Sequence, residues 1–288
     1  MDFDIDSMTA EQLYNTGLDY RDGVNGLQQS YEDALICLKR ASEMGYAPAQ
    51  VSYGRLFELG RGVQQSYEKA AEWYERAAEQ GDPWGQNNMG WFYQNGLGVR
   101  KSDKKAFNYY QAAAQQGNAY AQNNLGRMYE LGVYVDQSYI EAFKWYRLAA
   151  DQWDPTGLNN LGWLYENGLG ILQSYDSAVQ LYKRAADRKS ALAQCNLGRM
   201  YQDGHGVEQS NEKAVELYRK SADQKNPNGL YRLGLMYLSG LAVPKSYDTG
   251  VSLLKKSAEL GNEDAEKKLK DMGVGKKKGL LDRIFGNA

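Results

Sequence analysis

A chain of 288 residues with 34 Lys and Arg against 36 Asp and Glu carries a formal charge of −2. That balance argues against nucleic acid or an anionic membrane surface as the main partner. Two cysteines, Cys37 and Cys195, are too few for a disulfide framework and fit a reduced, cytosol-type setting. No stretch of 18 apolar residues offers a membrane span.

The first residues, Met1-Asp2-Phe3-Asp4-Ile5-Asp6, are acidic and lack the apolar centre of a signal peptide. Residues 1–8 therefore read as a tail, and the expected location is cytoplasmic, with signal-less export left open. Periodicity starts at residue 9 and runs to 272. Serine falls at 30, 66, 102, 138, 174, 210 and 246, and glycine at 54, 90, 126, 162, 198 and 234, both with a spacing of 36. A period of this length marks a stacked repeat array in which each unit contacts only its neighbours. The first unit is irregular. It has one extra residue before Ser30, and Thr9 to Gln12 are suited to cap its first helix.

One unit is legible in detail around Gly126. Ala121, Leu125, Gly126 and Tyr129 share a helical stripe, and Gly132 stops that helix. Ser138 starts a second helix, and Ser138-Tyr139-Ile140-Glu141 reads as a capping box. Ala142, Tyr146, Ala149 and Ala150 form its inner stripe. A mid-helix glycine costs about 1 kcal/mol against alanine, so its recurrence predicts an approach of two helices too close for a side chain. Second helices are expected to start near 30, 66, 102, 138, 174, 210 and 246. At the far end Ala265 and Leu269 keep the apolar phase, while Lys270 replaces the glycine, and residues 264–272 read as a polar capping helix.

The tail, residues 273–288, joins Lys276, Lys277 and Lys278 to Leu280, Leu281, Ile284 and Phe285, which fall on one face of a short helix. It reads either as a frayed terminus or as a docking peptide for a partner, another copy or a membrane surface. Gly273-Val274-Gly275-Lys276 lacks the spacing of a phosphate loop.

A second rhythm of 72 places Pro83, Pro155 and Pro227 two residues before Gly85, Gly157 and Gly229. The residue after the mid-helix glycine alternates as well: Arg55, Trp91, Arg127, Trp163, Arg199, then Leu235. Pairwise duplication and selection for an alternating surface both account for this.

The pattern Leu-Gly-x-x-Tyr, Gly-x-Gly-Val, Lys-Ala-x-x-Trp-Tyr-x-x-Ala-Ala-x-x-Gly is nearly spelled out by Gly54, Gly60, Gly62-Val63, Lys69-Ala70, Trp73-Tyr74, Ala77-Ala78 and Gly81. It resembles the Sel1-like repeat family, a branch of the tetratricopeptide-like helical repeats, over residues 10 to 272. The expected fold is all-α: a right-handed α-α superhelix (solenoid) of seven 36-residue helix-turn-helix units plus a C-terminal capping helix. The resemblance implies scaffold and adaptor roles, with first helices lining a concave side. One cysteine-rich branch of that family is linked to β-lactam hydrolysis. Its paired cysteines are missing here, so that activity is not carried over.

Residues two before and one after the glycine point about 140° away from the Leu125/Tyr129 stripe. The candidate partner-binding face therefore holds Asn88, Asn124, Asn160 and Asn196, flanked by Ser52 and Arg232. Beside them lie Asn87, Asn123 and Asn159, then Cys195. Trp91 and Trp163 offer flat anchors, with Trp84 and Tyr120 on the same line, and Arg55, Arg127 and Arg199 can take carboxylates bidentately. The asparagines can hold the backbone of an extended peptide, or they can bond neighbouring helices and only shape the superhelix. The lone His205 has no companions for a metal site or a triad, and no carboxylate pair suggests acid–base chemistry. The sequence thus points to a non-catalytic adaptor for a protein or peptide partner, without a cofactor or metal. Membrane contact is expected only through the tail, and oligomeric state is left open. The rivals are a β-lactamase-like enzyme, a bacterial host-interaction factor and a membrane-associated assembly factor.

Overall fold

The computed structural model describes residues 5–274, and among these residues it contains fifteen helices and no strand. The chain divides into two compact units, Met1–Gln152 and Trp153–Ala288. The first unit holds α1 (Ala10–Asp22), α2 (Tyr31–Glu43), α3 (Ala47–Leu59), α4 (Tyr67–Glu79), α5 (Pro83–Asn95), α6 (Asp103–Gln115), α7 (Ala119–Leu131) and α8 (Tyr139–Asp151). The second holds α9 (Pro155–Asn167), α10 (Tyr175–Asp187), α11 (Ala191–Asp203), α12 (Asn211–Asp223), α13 (Pro227–Ser239), α14 (Tyr247–Glu259) and α15 (Glu263–Asp271). Each odd helix up to α13 packs on the even helix that follows it, which gives seven pairs. The fold is an all-α solenoid of repeats of about 36 residues, ended by α15. No helix among the described residues is long and apolar enough to cross a membrane.

Helix starts follow from local chemistry. The periodic serines are N-caps of the even helices, each accepting a backbone N–H three residues on, as in Lys69 to Ser66 at 3.2 Å and Lys213 to Ser210 at 3.2 Å. The capping box expected at Ser138 is only half present. Ser138 Oγ accepts from the Glu141 N–H, but the Glu141 carboxylate pairs with Lys144 instead. The reason is that the Ser138 N–H is already bonded to the Tyr129 carbonyl at 2.9 Å. The same main-chain bond closes every pair, from Ser30 on Tyr20 to Ser246 on Tyr237. The extra residue before Ser30 stretches its span from nine residues to ten without breaking it. A reciprocal capping box does form at Thr9 and Gln12.

The mid-helix glycines from Gly54 to Gly198 face aromatic rings. A Cβ built on Gly126 would stand 2.7 Å from the Tyr146 ring, and on Gly90 it would stand 2.6 Å from Tyr110. These tyrosines, with Tyr74, Tyr182 and Tyr218, are the largest fully buried side chains. Each buried hydroxyl donates to an acceptor sixteen residues earlier: Tyr110 to Gln94 at 2.9 Å, Tyr182 to Glu166 at 2.8 Å, Tyr218 to Gln202 at 2.7 Å, and Tyr74 and Tyr146 to Glu58 and Glu130. A phenol buried this deeply needs such a partner, and burial pushes its pKa well above the usual value. Where α14 carries Leu254 in place of the tyrosine, Gly250 replaces the alanine, and its missing side chain makes room for Leu238.

Two glycines of the 72-residue rhythm, Gly85 and Gly229, stand where a side chain would clash. A Cβ on Gly85 would lie 2.8 Å from the Ala77 Cβ, and one on Gly229 would lie 2.3 Å from the Ser221 Oγ. At α5 and α13 there is thus no room for the methyl that Ala49, Ala121 and Ala193, themselves fully buried, carry at the same position. A glutamine relay joins other pairs. Gln50 accepts from Gln80 of its own pair at 2.8 Å and donates to the Ser42 carbonyl of the pair before at 3.2 Å, and Gln122 does the same with Gln152 and Ala114.

At the C-terminal end α15 keeps one apolar edge. Ala265 and Leu269 are buried against Val251 and Leu254, while its lysines and acids face solvent. That is how a solenoid closes its last hydrophobic face.

Candidate partner-binding face

From α3 to α13 the odd helices are short of charge. α5 has none in thirteen residues, and α3 and α7 have two each, Arg55 with Glu58 and Arg127 with Glu130. The even helix α4 carries Glu68, Lys69, Glu72, Glu75, Arg76 and Glu79. A solvent-facing helix without charge but with large exposed rings is unusual on a surface that stays bare. On α5, Trp84 is 50 % exposed and Trp91 40 % exposed. Tyr120 of α7 is exposed and leans on Trp84, with centroids 5.4 Å apart and planes at 51°.

Between these rings the asparagines split into two classes. Asn87 and Asn123 are buried, whereas Asn88 and Asn124 are half-buried. Asn124 Nδ2 donates to Asn87 Oδ1 across the two helices at 3.2 Å, and Asn87 Nδ2 donates to Asn88 Oδ1 at 3.4 Å. The second unit repeats the arrangement. Asn196 donates to buried Asn159 at 2.9 Å, and Asn159 donates to half-buried Asn160 at 3.2 Å. Asn87 and Asn159, three before their glycines, thus lie in the seam between odd helices of one unit and tie them together. Part of the asparagine hydrogen-bonding capacity is used inside the protein, while half-buried Asn88 and Asn124 keep groups that can face a partner.

The three arginines differ. Arg55 and Arg127 are exposed, and neither stands in a salt bridge among the described residues. Arg199 is half-buried and gives both arms of its fork to Glu166, so a partner carboxylate would have to displace an internal one. Sequence spacing held the clue, because the residue 33 positions before Arg199 is Glu166, while Gln94 precedes Arg127 by the same interval. Trp163 and Arg232 are half-buried, and Trp163 has its carbonyl held by Asn167 at 2.8 Å, as Asn95 holds Trp91. Cys195 is buried, and burial pushes its thiol up to about 11 against the opposing pull of Arg232 and Arg199. Leu280, Leu281, Ile284 and Phe285 lie outside the described residues.

Cavities missed by sequence reasoning flank this face in the first unit. One is lined by Arg21, Asp22, Ser52, Arg55, Leu56, Leu59 and Arg61, and a second by Tyr14, Arg21, Pro48, Val51, Ser52, Arg55, Asp82 and Trp84. They are assembled from helices one repeat apart, which a period alone does not reveal. His205 lies in the loop after α11, stacked on Tyr175 at 4.5 Å. No group of three or more potential metal ligands occurs among the described residues.

The Sel1 repeat family matches residues 13–46, 47–82, 85–118, 119–152, 155–190, 191–226 and 227–262. No protein of curated function matches the chain. Among solved structures, it is similar to a protective antigen of uropathogenic Escherichia coli strains displaying an SLR fold, at 34 % identity and a TM-score of 0.67. That match covers 91 % of this chain and 56 % of the E. coli protein, so the chain spans little more than half of that relative's length. It is also similar to a Sel1 repeat protein from Oxalobacter formigenes, at 29 % identity and a TM-score of 0.76, over 85 % of this chain and 96 % of the other. With seven consecutive matches laid on seven helix pairs, the chain belongs to the Sel1 repeat family.

Proposed function

We propose that this chain is a non-catalytic scaffold that holds an extended segment of a partner protein along its odd helices. The observation that carries the reading is α5, an uncharged helix that exposes Trp84 and Trp91 beside a row of carboxamides. Burying such rings on a partner supplies most of the affinity, since Trp and Tyr dominate interface hot spots. The spare groups of Asn88 and Asn124 bond the partner's main chain whatever its side chains. Odd helices also touch one another more than even ones do, α3 with α5 in the first unit and α11 with α9 and α13 in the second. This closer spacing supports the odd helices as the inner layer of each unit.

Affinity capture with the intact chain and with a Trp91→Ala, Trp163→Ala double variant tests the proposal. Partner recovery should drop sharply in the variant while its melting temperature stays near that of the parent. Full recovery of the same partners by the variant would remove the basis for a binding face on the odd helices.

A further inference from the structure

We infer that the first unit selects an acidic residue adjoining an apolar one in its partner segment, in a cleft formed by α1, α3 and the start of α5. This rests on the peptide-holding reading above and adds the chemistry of what is held. Two cavities share Arg21, Ser52 and Arg55 as a common wall, one of about 290 Å³ and the other of about 370 Å³. One lies just below and the other near the bottom of the range of roughly 300–1,000 Å³ that takes a whole small ligand, so each suits a single side chain.

The first cavity is cationic. Arg21 is neutralised by Asp22, which accepts from its Nε at 2.8 Å and from its Nη2 at 2.7 Å. That leaves Arg55 and Arg61 as the net charges, and neither is in a salt bridge among the described residues. Arg61 lies over the Tyr31 ring at 5.5 Å, which restrains the guanidinium beside the cavity. Two like charges on one cavity repel, and an anion placed between them relieves the repulsion and can accept charge-assisted hydrogen bonds from both. The floor, Leu56 with Ser52, adds one hydroxyl and an apolar surface that limits competition from water.

Beyond the shared Arg21, Ser52 and Arg55, the second cavity is mostly apolar. Its one acid, Asp82, is committed to the start of α5, accepting from the Trp84 and Gly85 N–H groups at 2.9 and 2.8 Å. Tyr14 is fixed edge-on against Tyr46 at 5.4 Å, and Val51, Pro48 and half-exposed Trp84 complete the lining. A carboxylate between Arg55 and Arg61 therefore brings the next side chain of an extended segment onto Trp84.

Panning a displayed library of random peptides against the full chain, then measuring the selected peptides by fluorescence polarisation, tests this. The expected peptides carry Asp or Glu beside a leucine, isoleucine or aromatic residue, and their affinity falls as salt rises. An Arg55→Gln, Arg61→Gln double variant should weaken them by about tenfold or more, with an unchanged melting temperature because both side chains are exposed. Selected peptides that lack acids and bind both forms equally would overturn the inference. If such peptides are still weakened by Trp91→Ala, peptide holding survives and only the acidic preference falls. If no peptide is selected at all, both fall together.

Discussion

The Arg199 guanidinium holds the Glu166 carboxylate through both oxygens, reaching from α11 back to α9, with the second bond at 2.8 Å. Glu166 is buried and also accepts from the Tyr182 hydroxyl. Burial alone pushes its carboxyl up, but the Arg199 bonds and charge, helped by Tyr182, outweigh it and hold it below the usual range.

Replacing Arg199 with alanine leaves a buried carboxylate with no counter-charge and only the Tyr182 hydroxyl as a partner, and the expected loss is about 3 kcal/mol at neutral pH. The pH dependence gives the sign. In the parent, a depressed carboxyl contributes stability above the unfolded-state pKa, and that contribution disappears as pH falls through the folded value. In the variant burial dominates, so the carboxyl is raised and its deficit shrinks as it takes up a proton. Urea unfolding at pH 7 and at pH 4 should show a gap that narrows on acidification. A gap of constant size would contradict the ion-pair account.

Gly126→Ala tests the contact with Tyr146. In an ordinary helix interior the change gains about 1 kcal/mol. Here the new methyl would stand 2.7 Å from a ring whose hydroxyl is fixed on Glu130, and overpacking of that kind costs about 1–3 kcal/mol. Gly54→Ala, whose nearest ring atom is 3.0 Å away, should cost less. Thermal denaturation of both variants checks the sign and the order.

The buried tyrosines form two classes by acceptor. Tyr146 donates to a carboxylate and Tyr110 to a carboxamide. Tyr146→Phe should cost about 1.5–3 kcal/mol and Tyr110→Phe about 0.5–1.5 kcal/mol, because hydrogen bonds to charged groups are the stronger class. Equal losses in chemical denaturation would mean that Glu130 is not the acceptor in solution.

Lys225 and Trp153 occupy turn positions where other repeats have Gly45, Gly81, Gly117 and Gly261, and both have positive φ, 59° and 63°. Left-handed backbone is unfavourable for a side chain by about 1–2 kcal/mol, and glycine gives part of that back in the unfolded chain. Lys225→Gly should therefore raise stability by about 0.5–1 kcal/mol. Trp153→Gly should gain little or lose, since its ring receives Arg184 at 4.1 Å and Arg188 at 5.0 Å. Differential scanning calorimetry of the two variants separates the cases.

Much of the fold is readable from the sequence because each repeat states its own boundaries. Ser66 or Ser138 at a helix start, Gly132 at a helix end and Gly126 opposite Tyr146 are local rules repeated until chance is excluded. The candidate face is less readable, and the reason is geometric. A helical wheel places Asn87 and Asn88 within 100° of each other, yet one lies in a seam and the other at its edge. Only the position of the neighbouring helix decides which. Likewise Arg127 and Arg199 are equivalent within their repeats, yet Gln94 stands 33 residues before one and Glu166 before the other. A period describes what repeats, whereas partner recognition and internal ion pairs are built from what does not.

The bond from the Ser138 N–H to the Tyr129 carbonyl has its counterpart in all seven pairs, and it uses no side chain of the loop it closes. Duplication of one repeat therefore copies a self-sealed cassette whose loop is free to drift. His205, Arg61 and Tyr134 stand in such loops, and each has found a different ring to lie against: Tyr175, Tyr31 and Phe107. Novelty can accumulate at these corners while the stack keeps its register.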